Sequence, residues 1–252
     1  MSELQVGSLL LPTYEWAGVG FSVLAAFLGS LLALVCARRI VRVDGTLDQA
    51  MLACAAVSLG GIAIWSMHFI GMAAYRLPIA INYNIVLTAI SLAAAIVISG
   101  AALYLAGGRS FNRKGWLAGA LLAGIGVCVM HYLGMYAMTM RADMSMNPGL
   151  VAASIVIAIG AAAAALWLAF NLKQFVHQLI AAAVMAVAVC AMHYTGMAAA
   201  DMICTPPVAP GNLVIGGSSM GLGVFGVSGC VLLGILWVVT GRMMGGAPRA
   251  AV

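Results

Sequence analysis

The 252-residue chain is 65% hydrophobic and only 7% charged, too little charge to cover a globular surface, so a water-soluble domain is excluded. Its net charge of +5 would suit an acidic partner, but nine of the eleven basic residues, Arg38, Arg39, Arg42, Arg109, Arg113, Lys114, Lys173, Arg242 and Arg249, fall on one side of a serpentine membrane drawing. That asymmetry follows the positive-inside rule, which accounts for the charge without nucleic acid.

Seven runs, uncharged but for Glu15 at the edge of the first, at 14–37, 50–75, 82–107, 115–140, 149–172, 175–200 and 213–240, reach the roughly 20 residues that span a bilayer core. Runs this long, rich in Ala, Leu and Gly, predict an all-α polytopic membrane protein in contact with the lipid bilayer; the short alternating segments of a barrel are absent. The N-terminal segment carries Glu3 and Glu15 and has no basic cluster before its apolar run. The segment therefore does not resemble a cleavable signal, the first helix is expected to stay, and the N-terminus is placed outside. Tyr14, Trp16, Tyr75 and Tyr83 are expected at the outer membrane interface. The second run climbs through Gly60 and Gly61 to the phrase MHFIGM and ends near Arg76. The fourth climbs through Gly124 and Gly126 to MHYLGM, followed by a Met-rich outer segment and Pro148. The sixth, with His177 near its cytoplasmic start read as a loop residue, climbs to MHYTGM.

Three of the four histidines, His68, His131 and His193, occupy the second position of that phrase, 63 and 62 residues apart. So regular a period marks a duplicated unit. We read three parallel two-helix repeats at 14–76, 82–141 and 149–201, plus a seventh helix, within a single domain covering 1–252. Parallel repeats are arranged about an axis along the membrane normal, so the three histidines share one depth, about 12 to 15 Å below the outer helix ends.

At about 100° per residue, the methionine four positions after each histidine lies on the same helix face, one turn further out. Met72, Met135 and Met197 therefore look the same way as the imidazoles. Met67, Met130 and Met192 point about 100° aside, and Cys128 and Cys190 lie one turn deeper on the histidine face. Buried polar groups at membrane depth are costly and tend to mark function. Neutral imidazole is the commonest metal ligand and thioether a soft one, a combination that favours copper over zinc or haem. Catalytic zinc needs an open position and usually a general base, and the one Asp or Glu within the seven runs is Glu15, at the outer edge of the first. An enzyme is therefore not expected. Haem held by two histidines would leave the third without a role. The six cysteines form no CxxC pair, and a disulfide framework is not expected.

The phrase, and above all Met192-His193-Tyr194-Thr195, resembles the MHYT domain, a bacterial integral membrane sensor module of seven predicted helices with the motif near the outer ends of three. The resemblance covers nearly the whole chain. It implies copper bound through Met67, His68, Met72, Met130, His131, Met135, Met192, His193 and Met197, and sensing of a diatomic gas such as O₂, CO or NO; Cys128, Cys190, Tyr132 and Tyr194 are our candidates for a surrounding shell. The first copy has Phe69 where Tyr132 and Tyr194 stand, so a threefold tyrosine ligand set is ruled out. Many members carry a diguanylate cyclase or phosphodiesterase domain after the membrane part. No such module is read after Trp237, so a stand-alone sensor of gas or redox state in the bacterial cytoplasmic membrane is expected, signalling to a separate partner. The alternative is copper transport, storage or delivery.

Overall fold

Each run becomes one membrane-length helix in the computed structural model, which describes residues 5–42, 44–107, 112–171, 174–206 and 213–245. Glu3, Arg109, Lys173 and Arg249 lie outside the described residues. The helices are α1 (Trp16–Ala37), α2 (Gln49–Ala74), α3 (Ile85–Gly107), α4 (Arg113–Tyr136), α5 (Pro148–Asn171), α6 (Phe175–Ala198) and α7 (Gly217–Gly245). Polar caps set two of the starts. Asp48 accepts the Met51 N–H at 3.1 Å ahead of α2, and Asn112 accepts the Gly115 N–H at 2.7 Å ahead of α4. His177 sits in the first turn of α6 and is exposed; it is helical because the apolar run begins before it, at Phe175.

Helices α1 to α6 close into a ring, each packed on the next and α6 back on α1, while α7 lies outside against α2 and α1. The membrane window of α2 is accordingly 72% buried and that of α7 only 17%. Small residues allow the close crossings: a β-carbon on Gly29 of α1 would lie 2.5 Å from the Ala63 nitrogen of α2, and one on Gly124 of α4 would lie 2.6 Å from the Ile159 Cα of α5. Within α2, Val57–Ser66 is wound as a π-helix that ends where Met67-His68 begins. Ser66 donates to the Gly61 carbonyl at 2.7 Å and shares a 2.6 Å hydrogen bond with Ser228 of α7, tying the seventh helix to the turn just below His68.

The connections at the end expected to lie outside form a cap of short strands: β1 (Leu9–Leu10), β2 (Thr13–Tyr14), β3 (Tyr75–Arg76), β4 (Asn82–Asn84), β5 (Met138–Thr139), β6 (Ala142–Met146), β7 (Ala200–Cys204) and β8 (Val214–Gly216). Antiparallel pairs β2–β3, β4–β5 and β6–β7 join the start of each odd-numbered helix to the end of the following even one, with β1 added beside β7 and β8 beside β4. Pairing satisfies backbone groups that would otherwise be stranded above an apolar core. The Met-rich segment belongs here. Ala142, Met144 and Met146 turn inward while Asp143 and Ser145 turn out, and β7 alternates likewise, which is the strand period of two.

Trp16 is 80% exposed, as an interfacial ring would be, but Tyr75 and Tyr83 are 3% and 1% exposed. They are core residues of the cap, where the Tyr75 ring meets Tyr14 edge-on at 5.6 Å and Tyr83 meets Phe69 at 5.7 Å.

At the opposite, basic end, Asp48 pairs with Arg242 of α7 at 2.8 Å and with Arg42 at 3.2 Å. Burial alone would raise the Asp48 carboxyl, but the Met51 amide and the two guanidinium groups outweigh it and hold the pKa below its ordinary value. A depressed carboxylate pKa contributes stability above the unfolded value, near 3.9, and loses it as pH falls through the folded value. Because both arginines are about half exposed, Asp48→Asn is expected to lose about 1 kcal/mol at neutral pH and to flatten the acid limb of a stability-versus-pH profile in detergent. Superimposable acid limbs for the two proteins would remove this triad as a source of stability.

Candidate metal centre

The six-helix ring brings the cap-side ends of α2, α4 and α6 to its axis, and each delivers one phrase there. His68, His131 and His193 are each 1% exposed. Their Nδ1 atoms face one another at 3.0 Å (His68 to His193), 3.1 Å (His131 to His68) and 3.3 Å (His193 to His131). The rings stand like propeller blades, with centroids 4.9 to 5.2 Å apart and interplanar angles of 74 to 90°. Among the described residues, this is the one His, Cys or carboxylate cluster with metal-ligand spacing.

Left to themselves, three neutral imidazoles cannot satisfy this geometry. A hydrogen bond needs one proton between two nitrogens. However many of the three Nδ1 atoms carry a proton, at least one pair is left as two lone pairs or two N–H groups in opposition. A shared cation removes the conflict by accepting all three lone pairs. The dimensions suit one: the centre of the nitrogen triangle is about 1.8 Å from each Nδ1, within reach of metal–nitrogen bonds of about 2.0 Å, so the three imidazoles would hold an ion through Nδ1.

The outer ring edges carry a second peculiarity. All three Nε2 atoms are buried without a hydrogen-bond partner among the described residues, each a burden of about 1 to 3 kcal/mol. Each packs on the glycine of the next phrase in cyclic order: His68 on Gly134, His131 on Gly196, and His193 on Gly71, where a β-carbon would stand 2.7 Å from Nε2. With Nε2 sealed against backbone, Nδ1 is the nitrogen presented to the axis.

Of the sulfur ligands read from sequence, Met72, Met135 and Met197 gather in one buried cluster with Met202 and Cys204 under the cap, and Met138, Met140, Met144 and Met146 pack around it. Met67, Met130 and Met192 separate into three other clusters. Cys190 accompanies Met67, and Cys128 accompanies Met192, so the two thiols lie between helices in different places. Met72 also lines a cap-side pocket of about 300 Å³ that includes Tyr75, Arg76 and Ser218.

A girdle of serines, missed in the sequence, surrounds the imidazoles. Ser22 of α1, Ser91 of α3 and Ser154 of α5 each donate to the carbonyl three residues back. Each thereby has an oxygen free to accept from the even-numbered helix: the Tyr194 hydroxyl meets Ser22 at 2.9 Å, the Tyr132 hydroxyl meets Ser154 at 2.7 Å, and the Trp65 indole N–H meets Ser91 at 3.0 Å. Where the first copy has Phe69 in place of tyrosine, Trp65, standing where the other copies have Cys128 and Cys190, supplies the donor.

A family model described as MHYT, bacterial signalling protein N terminal repeat, matches residues 61–119 and 124–182. Each matched unit contains one histidine of the phrase and one aromatic–serine pair; in the third copy the pair is made by Tyr194 with Ser22, from the start of the chain. The chain is 40% identical over 198 residues to the bifunctional diguanylate cyclase/cyclic di-GMP phosphodiesterase MucR of Pseudomonas aeruginosa, covering 77% of this chain and 29% of that protein. It is 37% identical over 169 residues to the cyclic di-GMP phosphodiesterase NbdA of the same organism, covering 65% and 22%. It is 30% identical over 195 residues to the signaling protein YkoW of Bacillus subtilis, covering 75% and 24%. The chain thus spans less than a third of the length of these relatives. No solved structure matches it.

Proposed function

Because this chain belongs to the MHYT family of membrane modules from bacterial signalling proteins, we propose that it is a metal-dependent sensor in the bacterial cytoplasmic membrane, with copper held by Nδ1 of His68, His131 and His193. The observation that carries this reading is the set of three Nδ1 contacts of 3.0 to 3.3 Å that imidazoles cannot satisfy among themselves. The donor set argues for copper in its cuprous state. Its ligands are neutral, no carboxylate lies in the seven helices, and the penalty of burying an ion rises with the square of its charge, so a monovalent ion is favoured. The neighbouring thioethers of Met72, Met135 and Met197 are soft as well.

When bound, copper supplies an open coordination position for a diatomic ligand such as O₂, CO or NO and a one-electron change of charge. The chain's own residues convey the consequence. His68 is carried by the π-wound α2, which grips α7 at Ser66–Ser228 and again at Asp48–Arg242. A shift of the His68 ring is therefore passed to α7 and to the basic end, where a separate partner reads it. The relatives' names point to an enzyme of cyclic di-GMP turnover as that partner's class.

Copper transport, storage or delivery is the second reading, and the observation favouring it is that Met72 borders both the buried methionine cluster and the cap-side pocket. Metal accumulation by sealed vesicles carrying the protein would separate it from a static sensor. For the leading reading, elemental analysis of protein purified in detergent is expected to give one copper per chain, and none in the variant combining His68→Ala, His131→Ala and His193→Ala. Metal-free wild type after copper loading, or equal copper in the triple variant, would overturn it.

A further inference from the structure

On the far side of the histidines from the cap lies a cavity of about 50 Å³. All six ring helices line it and α7 does not, so it sits on the ring axis. Ile64, Val127 and Val189, each four residues before a histidine, and Met192, beside His193, line the end nearest the imidazoles. Four residues is about one helical turn, so these side chains stand between the cavity and the histidine triangle. Nine of its nineteen lining residues are alanine, and among them Ser99 alone brings a hydroxyl.

This composition decides what can occupy the space. A buried water needs two to four polar partners, whereas apolar cavities stay dry and accept apolar guests such as xenon. An acyl chain is too large for the volume, and an ion would have no ligands. We propose that this cavity binds one small apolar gas molecule, held dry on the pseudo-threefold axis one helical turn from the histidines. The gas-sensing reading gives the cavity its purpose, but its occupancy depends only on the alanine-lined walls. Apolar gases concentrate in hydrocarbon, so such a site would hold a diatomic ligand beside the metal centre while excluding water.

Xenon is the probe, applied to the metal-free full chain in detergent and followed by ¹²⁹Xe NMR. Wild type is expected to show saturable binding of one xenon. Ala162→Leu on α5 and Ala123→Leu on α4, which fill the space from different helices, are expected to weaken binding at least tenfold while leaving copper stoichiometry unchanged. Two variants are used so that if one misfolds the other still decides. Absence of saturable binding by wild type, or unchanged binding in a folded filled variant, would overturn the proposal. Copper analysis of the same samples keeps the two readings apart: xenon bound without copper affinity defeats the sensor reading alone, and copper without xenon defeats the cavity alone.

Discussion

Gly134→Ala is expected to weaken copper binding by roughly 10- to 100-fold and to destabilise the metal-free protein by roughly 1 to 3 kcal/mol. The added methyl would fall on Nε2 of His68, and the ring has nowhere to withdraw, because its Nδ1 already stands 3.0 and 3.1 Å from the Nδ1 atoms of His193 and His131. Helix propensity pulls the other way, favouring alanine over glycine by about 0.5 to 1 kcal/mol. Overpacking against a fixed ring is the larger effect, so the net sign is loss. Gly196→Ala should act the same way through His131, and Gly71→Ala more mildly through His193, where the approach is 2.7 Å. Gly160 of α5 is the internal control. A β-carbon there would meet nothing within 4 Å, so Gly160→Ala is expected to be neutral or stabilising and to leave copper affinity untouched. Competition titration against a cuprous chelator, beside denaturant unfolding in detergent, measures both quantities. If Gly134→Ala behaves like Gly160→Ala, the seating of His68 on the neighbouring phrase is wrong.

That seating marks the border of what could be read from residues alone. Run length in hydrocarbon is a strong signal, and the expected spans at 175–200 and 115–140 correspond to Phe175–Ala198 and Arg113–Tyr136. The phrase is equally legible, since three copies at one period place their histidines at one level. The helical wheel also sorted the methionines: those four residues on share a cluster, and those one residue before, turned about 100° aside, fall into three separate ones. It did less well for Cys128 and Cys190, whose offset of about 60° from the histidine direction is enough to put them against neighbouring helices. The strands escaped because runs of two to five residues are too short for alternation to stand out. The serine girdle escaped for a different reason. Its bonds are tertiary, spanning up to 172 residues between Ser22 and Tyr194, and nothing local to α1 announces that α6 will close the ring beside it. The glycines of the phrase suit close helix approach as a residue type, but the group they admit is the imidazole of the adjoining copy.

At Trp65 a comparably large effect is expected: Trp65→Ala should destabilise by roughly 3 to 5 kcal/mol. The side chain fills space against Phe69, with ring centroids 4.8 Å apart, and also donates to Ser91, whose own proton is committed to the Thr88 carbonyl. Trp65→Phe keeps most of the volume and removes the N–H, so about 1 to 2 kcal/mol is expected from the lost bond and the buried oxygen left with one partner fewer. Copies two and three solve the same problem with tyrosine and cysteine, which makes a swap informative. Trp65→Cys combined with Phe69→Tyr rebuilds their pattern in copy one, and the new hydroxyl is expected to recover about half of the loss caused by Trp65→Cys alone, a coupling of at least ~1 kcal/mol. Denaturant unfolding of the four proteins in detergent gives that coupling directly. Strict additivity would mean that the three aromatic–serine contacts are not equivalent solutions and that the first copy is built differently. The consequence reaches the histidines, since each girdle bond fixes an even-numbered helix against its odd-numbered neighbour at the level of the imidazoles. Trp65→Ala should therefore lower copper affinity more than Tyr132→Phe, which removes a bond at 2.7 Å from Ser154 but leaves the ring in place.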